Sequence, residues 1–155
     1  MQTDLKARRE LAALIRHLVS GVITNDEFED RLPRPLRDSE DAAVVALYEH
    51  AWCLYNDTFE HHLIGQWKVS KENRRVIARW ILFLHSDLHY EWPAVRITGS
   101  VGLWNALRHL FTLGYSTRQA QARFEAAGDY DVWPFFRRAD FENAASSPTL
   151  LRGKV

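Results

Sequence analysis

The residues best suited to chemistry lie in the segment HSDLHYEWP, residues 85–93. In an extended conformation His85, Asp87, His89 and Glu91 would share one face, because side chains alternate along a strand. In a helix His85 and His89 would lie one turn apart, and Asp87 and Glu91 would form a second pair. Imidazole and carboxylate groups bind Zn, Fe, Ni and Cu ions, so these four residues predict a metal site as one alternative.

The interpretation that we favour for this segment is structural. Leu88 and Trp92 would pack inward, while the histidines and carboxylates face water. His61 and His62 are weak candidates for the remaining metal ligands, because the side chains of two adjacent residues point in different directions on regular elements. The sequence has no nucleophile elbow, phosphate-binding loop or glycine-rich dinucleotide turn. These absences favour a non-enzymatic protein without catalytic residues or a cofactor, and a metal-binding protein or metalloenzyme that uses residues 85–91 stays open as the alternative.

A second alternative is a helix-turn-helix DNA-binding protein that uses residues 101–127. Two helices are expected there, joined by a turn near Gly114. Arginine and glutamine side chains read guanine and adenine edges in the major groove, and four of them fall in the second helix: Arg118, Gln119, Gln121 and Arg123. However, the 155-residue chain carries 20 basic and 20 acidic residues, so it lacks the basic footprint of a nucleic-acid-binding protein.

A third candidate site is a patch near the end of the chain. Tryptophan, tyrosine and arginine dominate the energetics of protein interfaces. A protein-binding patch would combine Tyr130, Trp133, Phe136, Arg137 and Arg138. The alternative is that these side chains only dock the last helix onto the core, since monomers expose few large aromatic residues.

The elements that would position these residues are helices. Hydrophobic residues recur every three to four positions from Leu5 to Val19, between an N-cap at Asp4 and a left-handed glycine at Gly21. Thr24 and Glu27 form a capping box that opens a short second helix. Two further N-caps are expected at Ser39, before a helix from Glu40 to about Tyr55, and at Ser70, before a helix from Lys71 to about Leu84.

The second half of the chain predicts three more helices. A fifth helix should run from Val101 to Leu113, and a sixth from Ser116 or Thr117 to about Ala127. Pro134 fits the first turn of a seventh helix, with Phe135, Phe136 and Phe141 as packing residues. Residues 56–69 do not favour either a helical turn or an extended conformation.

Composition and length complete the prediction. Hydrophobic residues make up 46% of the chain, with six Trp and eight Phe, so one well-filled core is expected. We predict an all-α domain over residues 1–148, built as a compact bundle of six or seven short helices in orthogonal and antiparallel packing. Residues 149–155 should fray. The single cysteine, Cys53, excludes an intramolecular disulfide and is expected to be a small core residue.

The same features limit where and how the protein acts. The start of the chain is charged, and the longest strongly apolar run, residues 80–84, is too short to span a bilayer, so we expect a soluble, cytoplasmic protein. The absence of other signatures favours a small protein-binding module that binds a protein partner or a second copy of itself. By analogy with compact all-α chains, it would be a bacterial accessory, antitoxin or immunity-type protein.

Overall fold

The computed structural model describes residues 3–31, 39–56, 58–93, 119 and 122–146. Within these ranges the regular elements are α-helices and short 3-10 turns, without β-strands, which confirms the all-α prediction. The helices are α1 (Leu5–Val19), α2 (Asn25–Asp30), α3 (Ala42–Ala51), α4 (Lys71–Leu84) and α5 (Arg138–Ser146). The 3-10 turns are Trp52–Leu54, Gly65–Trp67 and Tyr130–Val132.

Three of the predicted helix starts are confirmed by their side-chain hydrogen bonds. The Asp4 carboxylate accepts from the backbone N–H groups of Lys6 and Ala7 at the start of α1. Thr24 and Glu27 form a complete capping box at the start of α2, and the Ser70 hydroxyl accepts from a backbone N–H in the first turn of α4. These caps satisfy N–H groups that have no partner inside their helices.

The start and end of α3 differ from the prediction. Its N-cap is Asp41 rather than Ser39, and its last residue is Ala51, after which the chain continues as a 3-10 turn. The hydroxyl of Ser39 instead accepts a hydrogen bond from the backbone N–H of Asp41. The start of α3 therefore moves to Asp41, whose carboxylate is fixed by a distant residue described below.

The last helix also begins later than predicted. Pro134 follows Trp133 through a cis peptide bond and precedes α5, which starts at Arg138. Phe135 between them is fully buried and lies in the core rather than in the first turn of the helix. Pro134 therefore belongs to the connection that brings Trp133 and Phe135 inward.

The core forms where α1 packs against α2, α3 and α4, and where α4 packs against α3 and α5. The buried side chains of α1 to α4 include Leu11, Ile15, Leu18, Phe28, Val44, Leu47, Ile77, Trp80, Phe83 and Leu84. These are the apolar stripes expected from the sequence, so the amphipathic pattern sets the packing faces.

The expectation that Cys53 is a core residue is wrong, because Cys53 is exposed in the turn after α3. None of the helices described is both long enough and apolar enough to cross a membrane. The predicted fifth helix, the first part of the sixth except residue 119, and the tail at residues 149–155 lie outside the described residues. The described residues 119 and 122–125 are helical, as expected for part of the sixth.

Candidate protein-binding surface

The segment 85–93 is held by the side chain of Arg8. Residues 85–93, which follow α4, are neither strand nor helix. The Arg8 guanidinium is buried, and its Nη1 donates to the backbone carbonyls of Ser86, at 3.0 Å, and Leu88, at 2.8 Å. Its Nε and Nη2 donate to the two carboxylate oxygens of Asp41, at 2.7 and 3.1 Å.

Asp41 forms further hydrogen bonds besides those with Arg8. Its carboxylate also accepts from the backbone N–H groups of Asp4, at 2.9 Å, and Ala43, at 3.0 Å. Burial alone would raise the pKa of Asp41, but the hydrogen bonds from Arg8 and from these N–H groups hold the pKa below its ordinary value. The pair therefore ties together α1, the start of α3 and the segment after α4.

The four residues predicted as metal ligands do not form a metal-binding group, although Asp87, His89 and Glu91 line one pocket and His85 and Asp87 line a second one. Nδ1 of His89 lies 3.4 Å from the hydroxyl of Thr3, while Glu91 accepts two hydrogen bonds from Arg137 at 2.9 and 3.1 Å. His85 is half-buried, and burial, with smaller effects of Arg16 and Arg9, lowers its pKa. In the described part of the chain, no group of three or more His, Cys, Asp or Glu residues has a metal-binding arrangement.

The large side chains of the same segment face inward. Tyr90 and Trp92 are buried, and Nε1 of Trp92 donates to the carbonyl of Pro134 at 3.0 Å. Burial raises the pKa of Tyr90 to about 12, although its hydroxyl accepts a hydrogen bond from Trp133 at 3.3 Å. The segment therefore serves as a docking site for residues 130–136, in line with the structural interpretation.

The predicted DNA-reading residues are only partly covered by the structure. Gln119 and Arg123 are exposed, whereas Arg118 and Gln121 lie outside the described residues. The DNA-binding alternative therefore remains a prediction from the sequence.

Trp133, the largest residue of the predicted patch near the end of the chain, is buried. Trp133 is only 6% exposed, and its ring centroid lies 4.4 Å from that of His50 and 5.6 Å from that of Trp80. A side chain packed in this way cannot form part of an exposed contact surface. Trp133 is thus a core residue, and the patch as predicted needs this correction.

The two arginines of that patch are occupied by carboxylates of the same chain. Arg137 pairs with Glu91, and Arg138 donates to both carboxylate oxygens of Asp129 at 2.9 and 3.2 Å. Phe136 is half-buried, and Tyr130 remains exposed. The arrangement ties the start of α5 to its surroundings, and a binding role for these four residues stays a prediction.

A different surface exposes large apolar side chains. Four such residues are Val22, at 63% exposed, Ile64, at 56%, Phe59, at 46%, and Trp67, at 39%. They belong to two loops, the turn after α1 and residues 58–68. With His61, they define what we call the aromatic loop surface.

The rings of this surface pack against one another. The centroid of the His61 ring lies 5.0 Å from that of Phe59 and 5.1 Å from that of Trp67, and the last two are 5.4 Å apart. Gly21, with φ +71, lets Ile64 approach, because a Cβ at this position would overlap Cγ2 of Ile64. Val22 follows directly, so the two loops meet at one place.

Asn25, the first residue of α2, holds the loop that carries Phe59. It is fully buried, and its Nδ2 donates to the carbonyls of Asn56, at 3.3 Å, and Phe59, at 3.2 Å. Its Oδ1 accepts from the backbone N–H of His61 at 2.7 Å, and its own N–H donates to the carbonyl of His61 at 3.1 Å. One side chain thus fixes three successive parts of the loop.

Thr24 adds a second attachment. Its hydroxyl accepts from the backbone N–H of Glu27 as the helix cap and donates to the Glu60 carboxylate at 2.9 Å. Its backbone also forms an isolated antiparallel bridge with His62. The capping box seen in the sequence therefore has a second function, which is to anchor a loop 36 residues further along the chain.

His61 packs against the rings of Phe59 and Trp67, and its Nε2 atom has no hydrogen-bond partner among the described residues. It is 9% exposed, and its Nδ1 lies 2.9 Å from the carbonyl of Phe59. A carbonyl only accepts, so Nδ1 carries the hydrogen and Nε2 of the neutral ring is an acceptor. Among the described residues, the buried Nε2 has no hydrogen-bond partner. The surface therefore combines apolar area, aromatic rings and one acceptor.

The sequence patterns did not indicate this surface. Val22, Phe59, Ile64 and Trp67 carry no signal at helical or strand spacing, and His61 was considered only as a possible metal ligand. Comparison of the chain with protein-family models, curated proteins and solved structures gives no match. Its function is therefore argued from the surface itself.

Proposed function

We propose that this protein is a small non-enzymatic protein-binding module and that the aromatic loop surface is its binding site. The observation that carries the proposal is the exposure of Val22, Phe59, Ile64 and Trp67 on loops that are themselves tightly anchored. Folded monomers bury most large apolar side chains, and clusters left exposed mark contact surfaces. The proposed module acts in the cytoplasm and needs no cofactor.

The anchoring supports binding because it reduces its cost. Ordering a flexible loop on association consumes part of the interaction energy. Here Asn25 and Thr24 already hold Asn56 and residues 59–62 through side-chain and backbone contacts. The surface also contains Trp67, and tryptophan is among the residues that contribute most when they fill a partner's pocket.

A peptide-display selection against the full-length protein tests the proposal. We expect the wild type to enrich peptides whose binding is lost with the double variant Ile64→Ser/Trp67→Ser. The control is Val45→Ser, because Val45 on α3 has the same 39% exposure as Trp67 but lies outside the surface. This control should retain the enriched peptides.

Two measurements make the result decisive. Circular dichroism and the urea midpoint of each variant establish that the double variant is folded at the selection temperature. If peptides selected on the wild type bind the folded double variant equally well, the aromatic loop surface is not the binding site. If the selection enriches no peptide, the protein-binding function itself is contradicted.

A further inference from the structure

The aromatic loop surface lies beside a local concentration of negative charge. Four of the six residues of α2 are acidic, and Glu60 is exposed within the loop itself. Arg31 neutralises one of these carboxylates by pairing with Glu27 at 2.6 Å, while Asp26 and Asp30 are exposed. The whole chain is neutral and Lys68 is exposed in the same loop, so the carboxylates that we call the acidic rim are those of Asp26, Asp30 and Glu60.

The chemistry within the rim suits a cation that also donates hydrogen bonds. The faces of tryptophan and phenylalanine rings attract ammonium and guanidinium groups through the ring quadrupole. The His61 ring packs against the rings of Phe59 and Trp67, and its buried Nε2 acceptor has no hydrogen-bond partner among the described residues. A hydrogen-bond donor that displaced part of the covering rings would give Nε2 of His61 a partner. A buried acceptor that lacks a partner otherwise lowers the stability of the fold.

We infer that the aromatic loop surface binds a polypeptide segment that presents an arginine or lysine side chain flanked by apolar residues. The cation lies against the rings of Phe59 and Trp67, with the carboxylate of Glu60 as its counter-charge. The flanking apolar residues cover Ile64 and Val22. This inference rests on the proposed protein-binding function and adds the chemistry of the partner.

A second copy of the chain fits this surface less well. In a twofold-symmetric dimer the same patch contacts itself, so a contact centred on the aromatic loop surface would bring two acidic rims together. Like charges in direct opposition disfavour a contact and suppress the wrong partner. A basic partner has the opposite charge along the whole rim.

Nuclear magnetic resonance titration with two synthetic peptides tests the inference. The probes are the acetylated amides Leu-Arg-Leu-Arg-Leu and its analogue with citrulline in place of arginine, which keeps the planar shape and some of the N–H groups but lacks the charge. The indole N–H signal of Trp67 is assigned as the one that disappears in Trp67→Phe. We expect the arginine peptide to shift this signal with an affinity roughly fivefold higher than the citrulline peptide.

The matched variants locate the effect at the rim. Glu60→Gln keeps an oxygen that accepts from Thr24 but removes the charge, so it should reduce the preference for arginine and leave citrulline-peptide binding unchanged. Glu142→Gln removes an exposed carboxylate on α5 and should retain the preference. High salt should also reduce the difference between the peptides, because exposed charges are screened.

Each contrary outcome separates the inference from the proposed function. Equal affinities of the two peptides would overturn the inference and leave an apolar binding surface. Display-selected peptides that bind the surface but lack basic residues would do the same. A shift of the Trp67 signal that depends on protein concentration alone would identify a second copy as the occupant. No shift with either peptide, together with a display selection that enriches nothing, would contradict the proposed function as well.

Discussion

Single buried polar side chains decide how this fold is connected. Arg8 donates four hydrogen bonds, two to the carboxylate oxygens of Asp41 and two to backbone carbonyls. Asn25 donates both amide hydrogens to one loop and accepts a hydrogen bond from the same loop with its side-chain oxygen. Buried hydrogen-bonding groups are costly when they lack partners, so each of these residues specifies the path of a segment that has little regular structure.

Removal of the Asn25 side chain measures this effect. Asn25→Ala leaves the carbonyl of Asn56 and the N–H of His61 without their side-chain partners. We expect the free energy of unfolding to fall by about 1–3 kcal/mol. Urea denaturation followed by circular dichroism provides the measurement.

The control for this variant is Asn143→Ala on α5, where Asn143 is exposed. It should change the unfolding free energy by less than about 0.5 kcal/mol. Equal effects of the two substitutions would show that Asn25 does not hold the loop.

At the scale of elements, sequence prediction succeeded where the signal is local. Asp4, Thr24 and Ser70 each cap a helix through a backbone N–H two or three residues away, and such spacing is visible in the sequence. The start of α3 was misplaced because Asp41 is fixed by Arg8, 33 residues earlier.

The irregular segments were unpredictable for the same reason. The path of residues 85–89 depends on Arg8, from which Ser86 and Leu88 are separated by 78 and 80 residues. The loop that carries Phe59 and His61 depends on Asn25 in the same way. Local propensity contains no information about such partners, so the candidate binding surface could not be predicted from the sequence.

The turn after α1 gives a prediction at this scale. Gly21→Ala combines a left-handed backbone with overlap between the new Cβ and Ile64. We expect it to lower the free energy of unfolding by more than 1 kcal/mol, with roughly 1–2 kcal/mol from the backbone alone. It should also weaken peptide binding, because Ile64 must move.

Gly65→Ala separates the two causes. Gly65 has φ +57, but nothing lies within 4 Å of the Cβ position, so only backbone strain applies. Its loss of stability, measured by the same urea denaturation, should be smaller than that of Gly21→Ala. A larger loss for Gly65→Ala would contradict the role assigned to the contact with Ile64.

For the whole molecule, the central packing includes a histidine whose neutral form is favoured by burial. His50 on α3 lies against Trp80 and Trp133, and its Nδ1 is 2.7 Å from the carbonyl of Ala46. Burial lowers the pKa of His50, and the opposing effects of this hydrogen bond and of Glu49 are smaller. His50 therefore binds a proton less readily in the folded chain than in the unfolded chain.

This difference predicts how stability depends on pH. His50 is neutral in both states above its ordinary pKa of about 6.5, so it has no effect there. As pH falls below 6.5 the unfolded state gains a proton first, and the free energy of unfolding decreases. The lowered pKa of His85 acts in the same direction.

Urea midpoints measured between pH 7.5 and 5.5 check this expectation. His50→Gln retains an N–H donor for the carbonyl of Ala46 and removes the titrating group. The variant should show a weaker dependence on pH than the wild type. An unchanged dependence would exclude His50 as the group responsible.

The position of Cys53 has a practical consequence. It is the only cysteine in the sequence and lies exposed in the turn after α3. A maleimide reagent will therefore attach one fluorophore or spin label per molecule at a known place, without any engineered substitution. The same exposure allows two molecules to cross-link through their thiols in air, so work on self-association requires a reducing buffer.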